Sequence, residues 1–238
     1  MADPATPTTI LVGESLKARN DRQAQLNRDL FGARGLVVLN LLSSPGSGKT
    51  ALLERTLGEL GPRRRIGVIV GDLQTDNDAR RLSGRGAPVV QITTGVVCHL
   101  EADMVARACA GLDLGALDLL AIENVGNLVC PASFDLGEEV RVVVLSTTEG
   151  EDKPLKYPRA FKTAQVVILS KTDLAGAAGF DREGTMANIR AVAPQAIVFE
   201  LSARTGNGMA GWYAFLEELI ESHCVRRDRS PMGQHFAI

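Results

Sequence analysis

From residue 36 onward, short apolar runs alternate with stretches whose apolar residues recur every three or four positions. "LVVLNLL" (36–42) is too short for a stable helix and runs straight into a Gly-rich turn, so it reads as a strand buried on both faces. Six further runs share this character: "RIGVIV" (65–70), "PVVQIT" (88–93), "LDLLAIE" (117–123), "VRVVVLST" (140–147), "AQVVILS" (164–170) and "AIVFELS" (196–202). Helical spacing fills the gaps, in "TALLERTLGEL" (50–60) and near 77–83, 100–111, 156–163 and 183–192. "MAGWYAFLEELIESH" (209–223) is a closing helix. Apolar strands alternating with helices predict a three-layer α/β fold, a mainly parallel central sheet with helices on both faces.

The flanks differ. Residues 1–12 are rich in Pro and Thr and read as a flexible N-terminal segment. Residues 13–33 lack Pro, place Leu16, Leu26, Leu30 and Phe31 at loosely helical spacing, and close on "GARG", which predicts an amphipathic helix outside the core. Residues 223–238 form a polar tail. Without an internal repeat or a shift in composition, 13–222 is one domain.

Composition narrows the partners. The 238 residues are 45% hydrophobic and 23% charged with a formal charge of −2, which argues against a broad surface for nucleic acid. No apolar run approaches the ~20 residues that span a bilayer, and "MADPATPTTILVGE" has no basic-then-apolar signal, so no membrane partner is expected. Four scattered cysteines without a disulfide framework predict a reducing, cytoplasmic setting.

The chemistry begins after the first strand. "SSPGSGKT" (43–50) follows the Walker A pattern G-x-x-x-x-G-K-[ST], with Ser43 where the first glycine belongs. Gly46, Ser47 and Gly48 would curl backbone amides around phosphates, and the helix opening through Ala51 points its positive end at them. Lys49 would reach the β- and γ-phosphates, and Thr50 would ligate Mg²⁺. Downstream, "SKTD" (170–173) resembles the guanine-reading N-K-x-D motif, with Ser170 for its asparagine. Asp173 can accept from guanine N1–H and the 2-amino group, donors that adenine lacks there, while the Lys171 stem covers the base. Ser202, Ala203 and Arg204 resemble the S-A-K element that supports guanine. The nucleotide expected is GTP or GDP.

Two strands end in acids, Asp72 and Glu123, where ligands of open α/β sheets gather. "ENVG" (123–126) resembles the D-x-x-G switch, with Glu123 as an outer Mg²⁺ partner and Gly126 as an amide sensing the γ-phosphate. Asp72 would hold Mg²⁺-bound water, and Asp78 would orient the attacking water, although Asp76 and Asp78 also suit a helix N-terminus. No glutamine is placed to orient water, so unaided hydrolysis is expected to be slow.

Cys98 and His99 are adjacent, and Cys130 follows the 123–126 switch by four residues. The pair reads as opening a helix, which would favour the metal-binding thiolate. Two thiolates and an imidazole suit Ni²⁺ or Zn²⁺, the fourth ligand coming from solvent or another subunit; the bland alternative is buried thiols. Cys109, Cys224, His223 and His235 read as structural or incidental, and "GPRRRI" (61–66) as a solvated turn. Lys153, in the loop after the fifth strand, could reach a partner's phosphates or simply be a solvated lysine.

"SSPGSGKT", "GDLQTDNDARR", "TTGVVCHLEADMV", "ENVGNLVCPASFDLGE" and "SKTDL", in that order, resemble the hydrogenase nickel-incorporation GTPases, the HypB family. The resemblance runs from about residue 20 to 222. It implies a P-loop NTPase fold and a metallochaperone that couples GTP hydrolysis to nickel delivery into nickel–iron hydrogenase precursors. It further implies a nucleotide-dependent homodimer with Cys98, His99 and Cys130 at the subunit interface, working with other nickel-delivery accessory proteins and the hydrogenase large-subunit precursor. A Cys-x-x-Cys or His-rich N-terminal device is not seen, so no storage site is expected there. Urease-accessory GTPases, with a Cys-Pro-His motif, fit less well. Outside this class stand a P-loop kinase or ligase with core cysteines and a nucleotide-gated adaptor with structural zinc.

Overall fold

The computed structural model describes residues 15–229, with side chains as far as His223. The segment 1–12, the Cys224 side chain and His235 lie outside what is described, as does most of the 223–238 tail. Seven strands form one sheet: β1 (Val37–Ser43), β2 (Ile66–Asp72), β3 (Val89–Thr93), β4 (Leu119–Glu123), β5 (Val140–Ser146), β6 (Val166–Ser170) and β7 (Ile197–Glu200). The helices are α1 (Leu16–Gly32), α2 (Lys49–Leu60), α3 (Asn77–Ser83), α4 (Ala102–Cys109), α5 (Lys153–Lys156), α6 (Pro158–Lys162), α7 (Arg182–Val192) and α8 (Met209–Arg229).

The sheet order is β3-β2-β4-β1-β5-β6-β7, and every pairing between these strands is parallel. Successive strand residues point to opposite faces, so each strand feeds two cores. Leu39, Leu41, Val68, Val70 and Val142 meet α2, α3 and α8 on one face. On the other, Val38, Ile69 and Ile122 meet α1 and α4, while Val143, Val167 and Leu169 meet α6 and α7. This is the three-layer arrangement expected from the pattern. The connection from β1 runs to β2 on the β4 side, whereas that from the adjacent β5 runs to β6 on the other, which opens a crevice at their carboxyl ends.

Three elements depart from expectation. The helix near 156–163 is two pieces, α5 and α6, because Tyr157 (φ −122°, ψ 52°) precedes Pro158 and cannot take a helical conformation against its ring. Helix α8 continues six residues beyond His223, since no Gly or Pro interrupts the chain before Pro231. In α1 the buried stripe is Asn20, Ala24, Asn27 and Phe31, while Leu16 and Leu26 are 76% and 61% exposed. The helix docks through amides rather than leucines. Asn20 accepts from Ala102 N at 2.8 Å, and Asn27 donates to Ala102 O and Leu136 O, both at 2.9 Å. The buried face differs from the expected leucine face because backbone groups at the start of α4 need polar partners.

Candidate functional site

The crevice is built on the turn from β1 into α2. Gly46 (φ 74°) and Gly48 (φ 104°) take left-handed conformations that side chains resist, which lets the loop close tightly. Ser43, standing for the usual glycine, has a role of its own: the buried Lys49 Nζ donates to Ser43 Oγ at 2.8 Å. Burial lowers the Lys49 pKa, and the nearby charges of Glu123, Asp78, Glu149 and Asp72 oppose that shift. An ammonium held this way has little water to give up when an anion arrives.

Glu123, at the end of β4, accepts from Thr50 Oγ1 at 2.7 Å through Oε1, whereas its buried Oε2 has no partner. Burial pushes its carboxyl up to about 7, against the pull of Lys49 and the Thr50 hydroxyl. A buried carboxylate oxygen with an open valence beside a helix-N-terminal threonine fits a hard divalent cation such as Mg²⁺. Asp72, at the end of β2, accepts from Thr75 N at 2.7 Å and Gln74 N at 2.9 Å through one oxygen, Oδ1. Burial raises its pKa, but these bonds and Lys49 outweigh it and hold the carboxyl below its ordinary value. Asp78, in the first turn of α3, pairs with Arg81 at 3.2 Å while acting on both Lys49 and Glu123. Gly126 backs onto the phosphate loop, where a Cβ would lie 3.1 Å from Pro45 Cα.

The expected base-reading residues gather around one cavity of about 270 Å³, lined by Gly48, Ala51, Lys171, Asp173, Ser202, Ala203 and Arg204. Ser170 ties this wall to the phosphate loop, its Oγ donating to Ser47 O at 2.6 Å. Lys171, the one described non-glycine residue with positive φ (58°), donates from Nζ to Gly46 O at 2.7 Å. The hydroxyl of Thr147 holds its carbonyl at 2.7 Å. A short hydroxyl thus supplies the brace that an asparagine would otherwise give.

The second cluster lies over the loops that leave β3 and β4. One ligand atom each from Cys98, His99 and Cys130 lies within 4.8 Å of the others, the only such group among the described residues. The expectation that Cys98 opens a helix needs correcting. Helix α4 starts at Ala102 with Glu101 as its N-cap, so Cys98 stands outside the helix dipole. Its pKa is instead raised, first by hydrogen bonding with Cys130, then by burial. Burial lowers the pKa of His99, leaving the neutral imidazole that a metal requires. The ring stacks on Phe134 at 4.0 Å, and both its nitrogens are buried without a hydrogen bond.

Two features escaped the sequence reading. Lys153 contacts the phosphate loop of its own chain: Nζ donates to Ser44 Oγ at 2.8 Å and pairs with Glu149 at 3.0 Å. Glu149 in turn accepts from Ser47 Oγ at 3.1 Å and Ser146 N at 2.9 Å. The Glu149–Lys153 spacing of four residues after a strand end is a signal that could have found this clasp. Phe134 gave no signal at all.

The model of the CobW/HypB/UreG nucleotide-binding domain matches residues 37–200. The hydrogenase maturation factor HypB of Azotobacter vinelandii is 54% identical over 206 residues, covering 87% of this chain and 68% of its own. The chain belongs to the HypB family. Among solved HypB structures, that from Helicobacter pylori in complex with nickel has a TM-score of 0.81 at 38% identity, covering 91% of this chain and 100% of that one. The HypB of Archaeoglobus fulgidus gives 0.80 at 39% identity, covering 85% and 99%. The fold is that of P-loop NTPases, and the HypB family is one of GTPases.

Proposed function

We propose that the chain is a GTP-hydrolysing nickel metallochaperone that couples nucleotide state and dimerisation to nickel insertion during hydrogenase maturation. One observation carries the reading: a Cys98–His99–Cys130 cluster with ligand atoms within 4.8 Å of one another, one arm of which continues directly from the Glu123–Gly126 segment packed on the phosphate loop. The nickel held by the related H. pylori protein supports it.

In this reading Gly46, Ser47, Gly48, Thr50 and Ala51 surround the phosphates, and Lys49 neutralises charge between the β- and γ-groups. Asp173 and Lys171 read guanine, with Ser202, Ala203 and Arg204 behind the base. Thr50 and Glu123 would hold Mg²⁺ and Asp72 a bound water; the cation would neutralise charge on the β- and γ-oxygens. Asp78 orients the attacking water, and without a glutamine there unaided turnover is slow. Cys98, His99 and Cys130 carry the metal, Ni²⁺ or Zn²⁺. Thiols this close form good ligands only while reduced, which suits the cytoplasm. Three ligands per chain leave a vacancy that a second subunit can fill across a two-fold axis. The accessory proteins and the hydrogenase large-subunit precursor would then receive the metal when the nucleotide state changes.

Sedimentation with GDP or a non-hydrolysable GTP analogue, each with and without Ni²⁺, tests the reading. The triphosphate analogue should favour the dimer and change Ni²⁺ affinity about 5–150-fold, and Ni²⁺ must alter the nucleotide side equally. Identical mass and metal affinity in all four conditions would leave two independent sites and end the proposal.

A further inference from the structure

A chain of buried polar side chains runs beneath the Cys98–His99–Cys130 cluster; it begins at Asn124, inside the Glu123–Gly126 segment, but the Asn124 side chain has no assigned part in holding nucleotide. Asn124 is 1% exposed. Its Oδ1 accepts from Leu100 N at 3.2 Å and from Val125 N at 2.9 Å, and its amide donates to Asn40 Oδ1 at 3.1 Å. Asn40, in the middle of β1, donates to Glu138 Oε1 at 3.1 Å. Arg141, at the start of β5, donates through Nε to the same oxygen at 2.8 Å. The remaining guanidinium nitrogens reach Ala132 O at 3.3 Å and Phe134 O at 3.0 Å.

The ends of this relay meet the two arms of the cluster. Leu100 directly follows His99, while Ala132 and Phe134 follow Cys130 by two and four residues. No hydrogen bond reaches either nitrogen of the His99 ring, and the Glu101 carboxylate lies 3.7 Å away. Its orientation therefore depends on the backbone at Leu100, which Asn124 holds, and on the Phe134 stack, which Arg141 holds. A buried ion pair within a sheet core costs more desolvation than apolar residues of the same volume would. Positions in β1 and β5 whose neighbours are Leu and Val would accept such residues. The polar choice is explained if ligand geometry depends on it, since groups behind the ligands set their orientation.

We propose that Asn124, with the Asn40–Glu138–Arg141 relay behind it, is a positioning residue that holds both arms of the Cys98–His99–Cys130 cluster at ligand distance. This rests on the reading that the cluster binds metal. The test titrates Ni²⁺ alone into the full chain by chelator competition and records the thiolate-to-nickel charge-transfer band, for protein that melts cooperatively and binds GDP. Asn124→Leu, close in volume but without an acceptor, should weaken Ni²⁺ binding about tenfold or more and alter the band. Asn124→Asp keeps an acceptor for both backbone amides but loses the donor to Asn40, so it should recover only the part of the loss that belongs to the His99 arm. If the leucine variant does not fold, Arg141→Gln, which releases Ala132 and Phe134, should give the same loss. Wild-type affinity and band in a folded Asn124→Leu or Arg141→Gln, or equal losses in the Leu and Asp variants, would overturn the proposal. Cys98→Ala run alongside separates the two ideas: if it too binds Ni²⁺ as wild type does, the metal reading itself has failed.

Discussion

Glu123→Gln should make the ligand-free protein more stable at neutral and alkaline pH while damaging its use of Mg²⁺–nucleotide. Glu123 lies in a space that disfavours its charge, with a pKa of about 7 against an ordinary 4.5. The folded state therefore binds a proton more tightly than the unfolded chain, and stability falls as pH rises from 4.5 through 7. Each unit is worth about 1.4 kcal/mol, so the cost is under ~1 kcal/mol at pH 5 and about 3 kcal/mol at pH 8. The attraction of Lys49 is already contained in that net shift. Glutamine keeps an oxygen for the Thr50 hydroxyl and resembles the protonated acid, so it should escape the pH-dependent cost. Urea unfolding of both proteins at pH 5 and pH 8, without nucleotide or divalent metal, measures the difference. Mg²⁺–GTP affinity should fall in the same variant, because the open carboxylate valence has gone. An advantage for glutamine that is absent at pH 8, or equal at both pH values, would refute the assignment of Glu123 as a buried carboxylate awaiting a cation.

Three other outcomes follow from the site. Asp173→Asn should weaken GTP about 10–100-fold and improve xanthosine triphosphate, whose 2-oxo group wants a donor, as read by fluorescent-nucleotide competition. Gly126→Ala forces a methyl to 3.1 Å from Pro45 Cα, and an overpacking cost of ~1–3 kcal/mol should weaken GDP by about tenfold, measured by calorimetry. Cys98→Ala, His99→Ala and Cys130→Ala should each weaken Ni²⁺ while sparing GTP binding by the metal-free protein; unchanged metal affinity in all three would restore buried thiols.

What the sequence disclosed, and what it withheld, divides along a physical line. Strands such as "LVVLNLL" and "AQVVILS" were legible because full burial on both faces leaves a local signature, and the observed strands fall within a residue or two of those runs. The phosphate loop and the SKTD stretch were legible because their backbone demands, left-handed glycines and a strand-to-loop turn, are also local. Contacts between distant segments left no such trace. The adjacency of Cys98 and His99 was visible, yet their approach to Cys130 depends on β3 and β4 flanking β2, which only the strand order decides. The same order reversed the expected thiol chemistry, since Cys98 faces another thiol rather than a helix end. Asn20, Asn27, Asn40 and Asn124 read as surface residues in any hydropathy pattern, yet each is buried against backbone or another amide. Their burial answers a need no linear pattern records: the turns that carry the cluster and the start of α4 leave amides and carbonyls unpaired, and side-chain amides can satisfy both kinds. The loops that carry Cys98, His99 and Cys130 are thereby fixed through polar contacts that a change at β4 can reach, whereas a purely apolar support would have held them without direction.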